Sequence, residues 1–461
     1  VVFVDKANVK GNAGGQSWTD AFPTIQEGIN RAAALDAEVW VAGGTYNEER
    51  EYLAGAVNLG ALHLPDGCRL YGAFPVGATR RNDREPLFYE SIIDGSVSNE
   101  GAPALQVMRA ENCKSILIDT FTISGGRATG AYQGAGLYAE NIQDLALRYC
   151  TFINNESHAG GSALYIEDSA LSMDNCTLEN NTNHGGLSAL YAAQTSLNVT
   201  QSNFRKNEGG AVFCSLPEST GSPDAVFTNC FFVENTFLDN AGSGTGIKFY
   251  AASGTGRFHA EKCYFLNNET IGEGGAVYAH FNTMGEIVNS VFFGNKAAGY
   301  GNAVLTRGVV ALNSCSLHAN NGSGSYAVAQ QSGGKAYLFN SILWSGNPSS
   351  LPLLNGTQSY GLVEGVSEAP LFGADPKFID PAMGALQLED DSPCIDYPQP
   401  ISLVTELGTI TVPKEDLLGV VRPQQASPDV GAYETLYAGA CGGGAIYSQA
   451  DDPAAITLGF G

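Results

Sequence analysis

The sequence predicts an all-β chain wound as a parallel β-helix, a single solenoid with an N-terminal capping helix and an irregular C-terminal cap. A motif of the form apolar-x-apolar-x-Asn-Cys/Ser-x-Phe/Leu-x-x-x-Asn recurs roughly every 26 to 33 residues. Its copies centre on Cys150, Cys176, Ser202, Cys230, Cys263, Ser290 and Cys315, with a drifting copy at Ser341. After most copies a glycine-rich turn leads into a second short apolar strand, as in GGSALYIE, GGAVFCS and GGAVYAH. Each period therefore holds two or three short strands and no helix. Strands of alternating polarity at so short a period stack as coils.

In such a stack each coil pairs with the next about 4.8 Å away, and alternate residues point into a dry core or outward. The Cys/Ser column shares parity with Phe152, Leu178, Phe204, Phe232, Phe265, Phe292 and Leu317, so both are expected inside. The column Asn155, Asn181, Asn207, Asn235, Asn268, Asn295 and Asn320 is expected at a corner. There a stacked amide satisfies backbone groups left unpaired by the bend.

Residues 1–50 read as a cap. VVFVD is a strand, PTIQEGINRAAALDA an amphipathic helix with Pro23 near its first turn and Ile25, Ile29, Ala32 and Ala33 on one side, and VWVAGGTY a strand again. A helix over the first coil shields an open strand edge that would otherwise template aggregation. Coils are expected over 51–345, the earlier ones weaker, through Cys68, Asp94 and Asp119. Beyond about residue 345 the repeat dissolves into a Pro-rich acidic tract, read over 346–461 as a C-terminal cap, a short hairpin and an extended tail from Leu436.

The chain has 57 glycines, 23 Lys and Arg against 47 Asp and Glu, and a formal charge of −24. Nucleic acid and anionic membrane both need a basic face, so neither is expected as a partner. No apolar run is long enough to span a bilayer. The acidity and polar turns fit an extracellular or cell-surface setting. Because the sequence opens directly on a strand, any export signal is expected to have been removed. Of ten cysteines, Cys150, Cys176, Cys230, Cys263 and Cys315 share one inward column. Parallel stacking holds their Cβ atoms nearly 5 Å apart and aims them alike, whereas a disulfide wants roughly 3.5 to 4.5 Å. They are expected as reduced, core-packing thiols, with only Cys394 and Cys441 open to pairing.

The opening VDKANVKGNAGGQSWTDAFPTIQEGINRAAA with VWVAGGTY, the repeated Gly-Gly-Ala followed by Phe-x-x-Asn, and the ending DPKFID, DSPCID, DLLGVVRP and PDVGAYE carry a resemblance. Together they resemble the pectin-lyase-like right-handed parallel β-helix proteins, in particular the secreted or surface-anchored Bacteroidetes group related to polymorphic outer-membrane proteins. The resemblance covers most of the chain and implies the fold. The wider superfamily includes polysaccharide lyases, hydrolases and adhesins, and fold does not settle function. No catalytic motif of the family is found, so no residue role is carried over.

The strand after each glycine-rich turn offers the candidate surface. Aligned copies place Tyr138, Tyr165, Tyr191, Phe213, Lys248, Tyr278 and Leu305 in one outward column. Two residues on stand Glu140, Glu167, Ala193, Ser215, Tyr250, His280 and Arg307. The rings Tyr138, Tyr165, Tyr191, Phe213 and Tyr278 are candidate ligand-binding residues that could stack on sugar faces, or else they stack on one another as a structural ladder. Glu140 and Glu167, about one coil or roughly 5 Å apart, have the separation of a retaining glycosidase pair. Lys248, Tyr250, His280 and Arg307 form the alternative set, a base and cations suited to a lyase acting on uronate. The expected partner is a polysaccharide or glycan, with a protein partner as the adhesin alternative. His158 and His184 occupy equivalent places before the glycine turn, but the alignment supplies no third ligand, so no metal is expected and no cofactor. The glycine-rich turns lack the lysine of a phosphate loop, and no calcium-loop motif occurs.

Overall fold

The computed structural model describes residues 1–8, 14–219, 221–237, 243–347, 352–356, 358–366 and 371–436. The chain divides into two compact units, Val1–Pro217 and Glu218–Gly461. Each unit is built from short strands paired in parallel with the equivalent strand one coil further on, the parallel β-helix the repeat predicts. In the first unit Leu164–Glu167 lies between Leu137–Arg148 and Leu190–Ala193, with Tyr138 opposite Tyr165 and Tyr165 opposite Tyr191. In the second, Tyr264–Leu266 pairs with Val291–Phe293, setting Phe265 against Phe292.

The corners explain the motif. The residue just before each Cys/Ser position is left-handed, as at Tyr149, Asn175, Gln201, Asn229, Lys262, Asn289 and Ser314. So is the residue just before each column asparagine, as at Asn154, Asn180, Lys206, Glu234, Asn267 and Ala319. Such a residue costs roughly 1–2 kcal/mol unless it is Gly, Asn or Asp, which is why asparagine recurs there. Each bend strands backbone groups, and the column side chains reclaim them. Asn181 donates through Nδ2 to the Phe152 carbonyl at 2.9 Å and to Asn207 Oδ1 at 3.0 Å, while its Oδ1 accepts from the Asn155 backbone N–H at 3.1 Å. The second unit repeats this from Asn268 to Asn295 and from Asn295 to Asn320, each amide linked to the next at 2.9 Å.

The Cys/Ser column does the same at the other corner. Cys150 Sγ donates to the Arg148 carbonyl at 3.2 Å, and Ser202 Oγ accepts from the Cys176 N–H at 3.1 Å. Ser341, the drifting copy, holds its place by accepting from the Cys315 N–H at 2.9 Å. The nine described cysteines, Cys394 among them, are free buried thiols. Cys441 and the expected tail beyond Leu436 lie outside the described residues. Between the corners the Phe/Leu column fills the core: Phe265 stacks between Phe232 at 4.9 Å and Phe292 at 4.6 Å, and all three are fully buried.

The capping helix spans Ile25–Leu35, with Thr24 as N-cap accepting from the Glu27 N–H and Asp36 left-handed at its end. Pro23 stands just before the N-cap, next to the first turn. The buried stripe is Ile25, Gly28, Ile29 and Ala32, and Ala33 faces solvent. Gly28 belongs to that stripe because the helix closes on Val4: a Cβ there would lie 2.3 Å from a Val4 methyl.

In the second unit the C-terminal tract runs along the flank of the coils. Leu386, Leu388, Cys394, Leu417, Val430, Ala432 and Tyr433 pack on Val233, Tyr264, Leu266, Val291 and Ile342, which point outward from their strands yet are buried. The hairpin of Ser402–Thr405 and Gly408–Thr411 lays Leu403 and Ile410 on Tyr337 and Phe339. No helix of the described residues is long and apolar enough to cross a membrane.

Candidate functional site

Two groups of candidate residues emerge, one in each unit. In the first unit Tyr138, Tyr165, Tyr191 and Phe213 do form a column. Consecutive ring centroids lie 5.3, 5.2 and 4.7 Å apart, with planes within 9° of parallel. The stacking axis runs from coil to coil, so both faces of Tyr165 and of Tyr191 meet a neighbouring ring. Tyr165 is just 6% exposed. The hydroxyls are engaged too: Tyr138 donates to Glu140 Oε2 at 2.7 Å and Tyr165 to Glu167 Oε2 at 2.9 Å. Burial and these carboxylates push both phenols well above the usual range. Glu140 and Glu167 are register partners, each holding the hydroxyl of the tyrosine two residues earlier.

The column continues one coil earlier through residues the repeat alignment missed. Arg109 lies opposite Tyr138 and Glu111 opposite Glu140. The Arg109 guanidinium sits 4.2 Å from the Tyr138 ring centroid and grips Glu111 with two hydrogen bonds of 2.8 and 2.7 Å. The signal was present: Met-Arg-Ala-Glu-Asn at 108–112 matches Leu-Tyr-Ala-Glu-Asn at 137–141 position by position.

In the second unit Lys248, Tyr250, His280 and Arg307 come together around Tyr278. Lys248 Nζ is 5.8 Å and the Arg307 guanidinium 5.6 Å from the Tyr278 centroid, and the His280 ring lies 5.1 Å from Tyr250 and 5.7 Å from Tyr278. Tyr278 leaves its strand on the outward side, as parity requires, yet it is only 3% exposed because Leu305, Ala329 and Tyr326 close around it. Burial, reinforced by Arg307, lowers the Lys248 pKa. Burial, reinforced by Lys248 and Arg307, lowers that of His280. Arg307 donates to Glu273 Oε2 at 2.8 Å and Gln331 Oε1 at 3.3 Å, while its buried Nε and the buried Nδ1 of His280 have no hydrogen-bond partner among the described residues. Glu273 carried no periodic signal, since it sits in a corner turn of variable length. The group thus sets one imidazole, biased by burial and its neighbours toward the neutral form, beside two cations.

A right-handed β-helix family matches this chain. The profile, described as "Right handed beta helix region", covers residues 66–232 and names the architecture that the coils display. Among solved structures, "Crystal structure of pectate lyase Pel9A" aligns over 94% of this chain and 96% of that chain, at 14% identity and a TM-score of 0.40. That likeness is too remote to carry a residue or an activity across. No curated protein matches the chain.

Proposed function

We propose that this chain is a secreted or cell-surface β-helix protein that contacts carbohydrate, and that the Lys248, Tyr250, His280 and Arg307 cluster is its contact for an acidic sugar. The supporting observation is the convergence of three basic side chains around Tyr278 in a chain with twice as many acidic as basic residues. A uronate carboxylate beside Arg307 and Lys248 would meet two cations in a partly dehydrated setting, where charge-assisted hydrogen bonds are strongest. Tyr250 would supply apolar surface for the C–H face of the ring. No reaction is assigned. Within this proposal, the Tyr138, Tyr165, Tyr191 and Phe213 column serves as a stabilising ladder, because its inner ring faces are consumed by one another and the outer face of Tyr138 by Arg109. The terminal motifs further support placing the chain with the surface Bacteroidetes group related to polymorphic outer-membrane proteins.

One observation favours a second reading as a polysaccharide lyase. His280 is biased toward the neutral form and stands close to two cations, the pairing that β-elimination from a uronate requires. The imidazole would take the proton α to the carboxylate while Arg307 stabilises the resulting enolate; as the α,β double bond forms, the bond to the oxygen at the β carbon would break and that oxygen would leave as a hydroxyl, protonated by water.

Calorimetry of the wild type, Lys248→Met and Arg307→Lys against uronate and neutral oligosaccharides tests the first reading. Uronate binding that falls at least about tenfold, or about 1.4 kcal/mol, in either variant supports it. Affinity should also rise as pH drops below the ordinary imidazole range, since protonating His280 adds a third cation. Failure to bind any uronate, or binding indifferent to both substitutions, refutes it. Ultraviolet absorbance from an unsaturated product, abolished in His280→Ala, would establish the lyase.

A further inference from the structure

The two stacked histidines acquire in three dimensions the ligand that their alignment lacks. Glu156–Ser157 pairs in parallel with Thr182–Asn183, with Glu156 opposite Thr182 and Ser157 opposite Asn183. His158 and His184 follow directly and fall one above the other on consecutive coils, ring centroids 4.7 Å apart. Glu156 shares outward parity with His158, and the next coil has Thr182 in its place, so the repeat could not reveal it. His184 Nε2 lies 3.0 Å and His158 Nε2 3.8 Å from the same oxygen, Glu156 Oε1. One ligand atom from each of the three residues lies within 4.8 Å of the others.

The backbone beneath them is pinned while the tips stay open. The His158 N–H donates to the Ala128 carbonyl at 3.1 Å and the His184 N–H to the Ser157 carbonyl at 2.9 Å. The side chains of His158 and His184 keep 47% and 41% of their surface exposed. Rings so placed can turn by small rotations at the side chain without moving the coil.

We propose that Glu156, His158 and His184 form a binding site for a divalent first-row transition ion of the zinc class. Two imidazoles and one carboxylate are donors that such an ion accepts at about 2.0–2.2 Å, in a tetrahedral set whose fourth position here faces solvent. Calcium is disfavoured because it takes six to eight oxygens, and this group offers one carboxylate. The fourth position would hold water or an anionic group of a ligand. Arg127 is the built-in competitor: its Nε lies 3.1 Å from Glu156 Oε2 and its Nη2 3.1 Å from Glu156 Oε1. Its side chain is 54% exposed, so it can swing away when a dication arrives, but its charge opposes that arrival. The site therefore predicts an unusual sign, that deleting a neighbouring side chain tightens binding.

The test is titration of the full chain, freed of metal by a chelator, with zinc chloride followed by calorimetry, and with cobalt chloride followed by visible absorbance. The expected result is one ion per chain and the intense cobalt bands of a tetrahedral site. Affinity should fall at least tenfold in His158→Ala and in His184→Ala, fall in Glu156→Gln, and rise in Arg127→Ala. His63→Ala, which removes an exposed imidazole outside the site, should leave it unchanged. All the substituted side chains are exposed or half-exposed, and circular dichroism confirms that each variant folds. No zinc uptake by the wild type, or uptake that survives the His158→Ala/His184→Ala double variant, would overturn the proposal.

Discussion

Phe265 and Tyr278 stand in the strands Tyr264–Leu266 and Val277–Ala279 of the second unit and are both buried, but for different reasons. Phe265 is sandwiched between two rings inside the closed core, whereas Tyr278 is roofed on the outer face by Leu305, Ala329, Tyr326 and the Arg307 guanidinium. Emptying the core site leaves a cavity that rigid coils cannot collapse into, which typically costs about 3–5 kcal/mol. Truncating Tyr278 opens a space that water can reach. Phe265→Ala should therefore lower the denaturation midpoint more than Tyr278→Ala, with the latter still measurable by urea unfolding. Equal losses would mean that the roof excludes solvent as completely as the core. The cysteines make a second expectation at this scale. Burial pushes the Cys315 and Cys394 thiols up to about 12, and seven of the described thiols, Cys150, Cys176, Cys214, Cys230, Cys263, Cys315 and Cys394, are at most 1% exposed. Native protein should leave these seven unmodified by a thiol reagent, and the denatured chain should expose all nine described thiols. Fewer than nine thiols after denaturation without reductant would show that some are oxidised. The inward parity of Phe265 and of the cysteines was legible from period-two alternation. The ion pair that holds the Arg307 part of the roof over Tyr278 was not, because Glu273 and Arg307 are 34 positions apart.

At the scale of the element, the same strand position changes character between the units. The outward residues of the Phe strand are Thr151 and Ile153, then Thr177 and Glu179, in the first unit, but Tyr264 and Leu266, then Val291 and Phe293, in the second. Alternation persists in the first set and gives way to continuous apolarity in the second, which is the mark of a strand covered on both sides. That change was readable in the sequence as a sign that something lies over the second set. What lies there was not readable, since the covering tract arrives from far along the chain: Asn289 Nδ2 donates to the Glu415 carbonyl 126 positions away, at 2.8 Å. The hairpin of Ser402–Thr405 and Gly408–Thr411 is held by Leu403 and Ile410 on Tyr337 and Phe339 and by Glu406 on Lys335 and Tyr337. Leu403→Asp should release it, raising hydrophobic dye binding and opening the hairpin to protease while leaving the coil strands intact by far-ultraviolet dichroism. A variant as protease-resistant as the wild type would mean that the hairpin is held without this contact.

For the molecule as a whole, the telling group is the buried charge cluster of the C-terminal tract. Arg422 is fully buried, donating to the carbonyls of Asp429 and Gly431 at 2.7 and 2.8 Å, with Glu434 3.7 Å away. Burial and the neighbouring Asp429 push the Glu434 carboxyl up to about 7, and burial raises Asp416 and Asp429 as well. A carboxyl whose folded pKa exceeds its ordinary value of 4.5 binds its proton more tightly when folded. Its contribution to stability is complete below 4.5 and is lost as pH rises through about 7. The melting temperature should therefore decline between pH 5 and pH 8, and Glu434→Gln should flatten that slope. An unchanged slope in the variant would assign the pH dependence to the overall negative charge. The sequence by itself determined the coil period, the parity of each column, the asparagine corners, the reduced cysteines and the pairing of one coil's strand with the next. All of these are relations inside a coil or between neighbours, and a repeat writes them into the chain at fixed spacing. Tertiary structure alone decided that the tyrosine faces are spent on each other, that Arg307 meets Glu273, that Glu156 reaches both histidines and that the C-terminal tract buries an outward face. Those depend on side-chain direction or on segments distant along the chain, and neither has a period to be read.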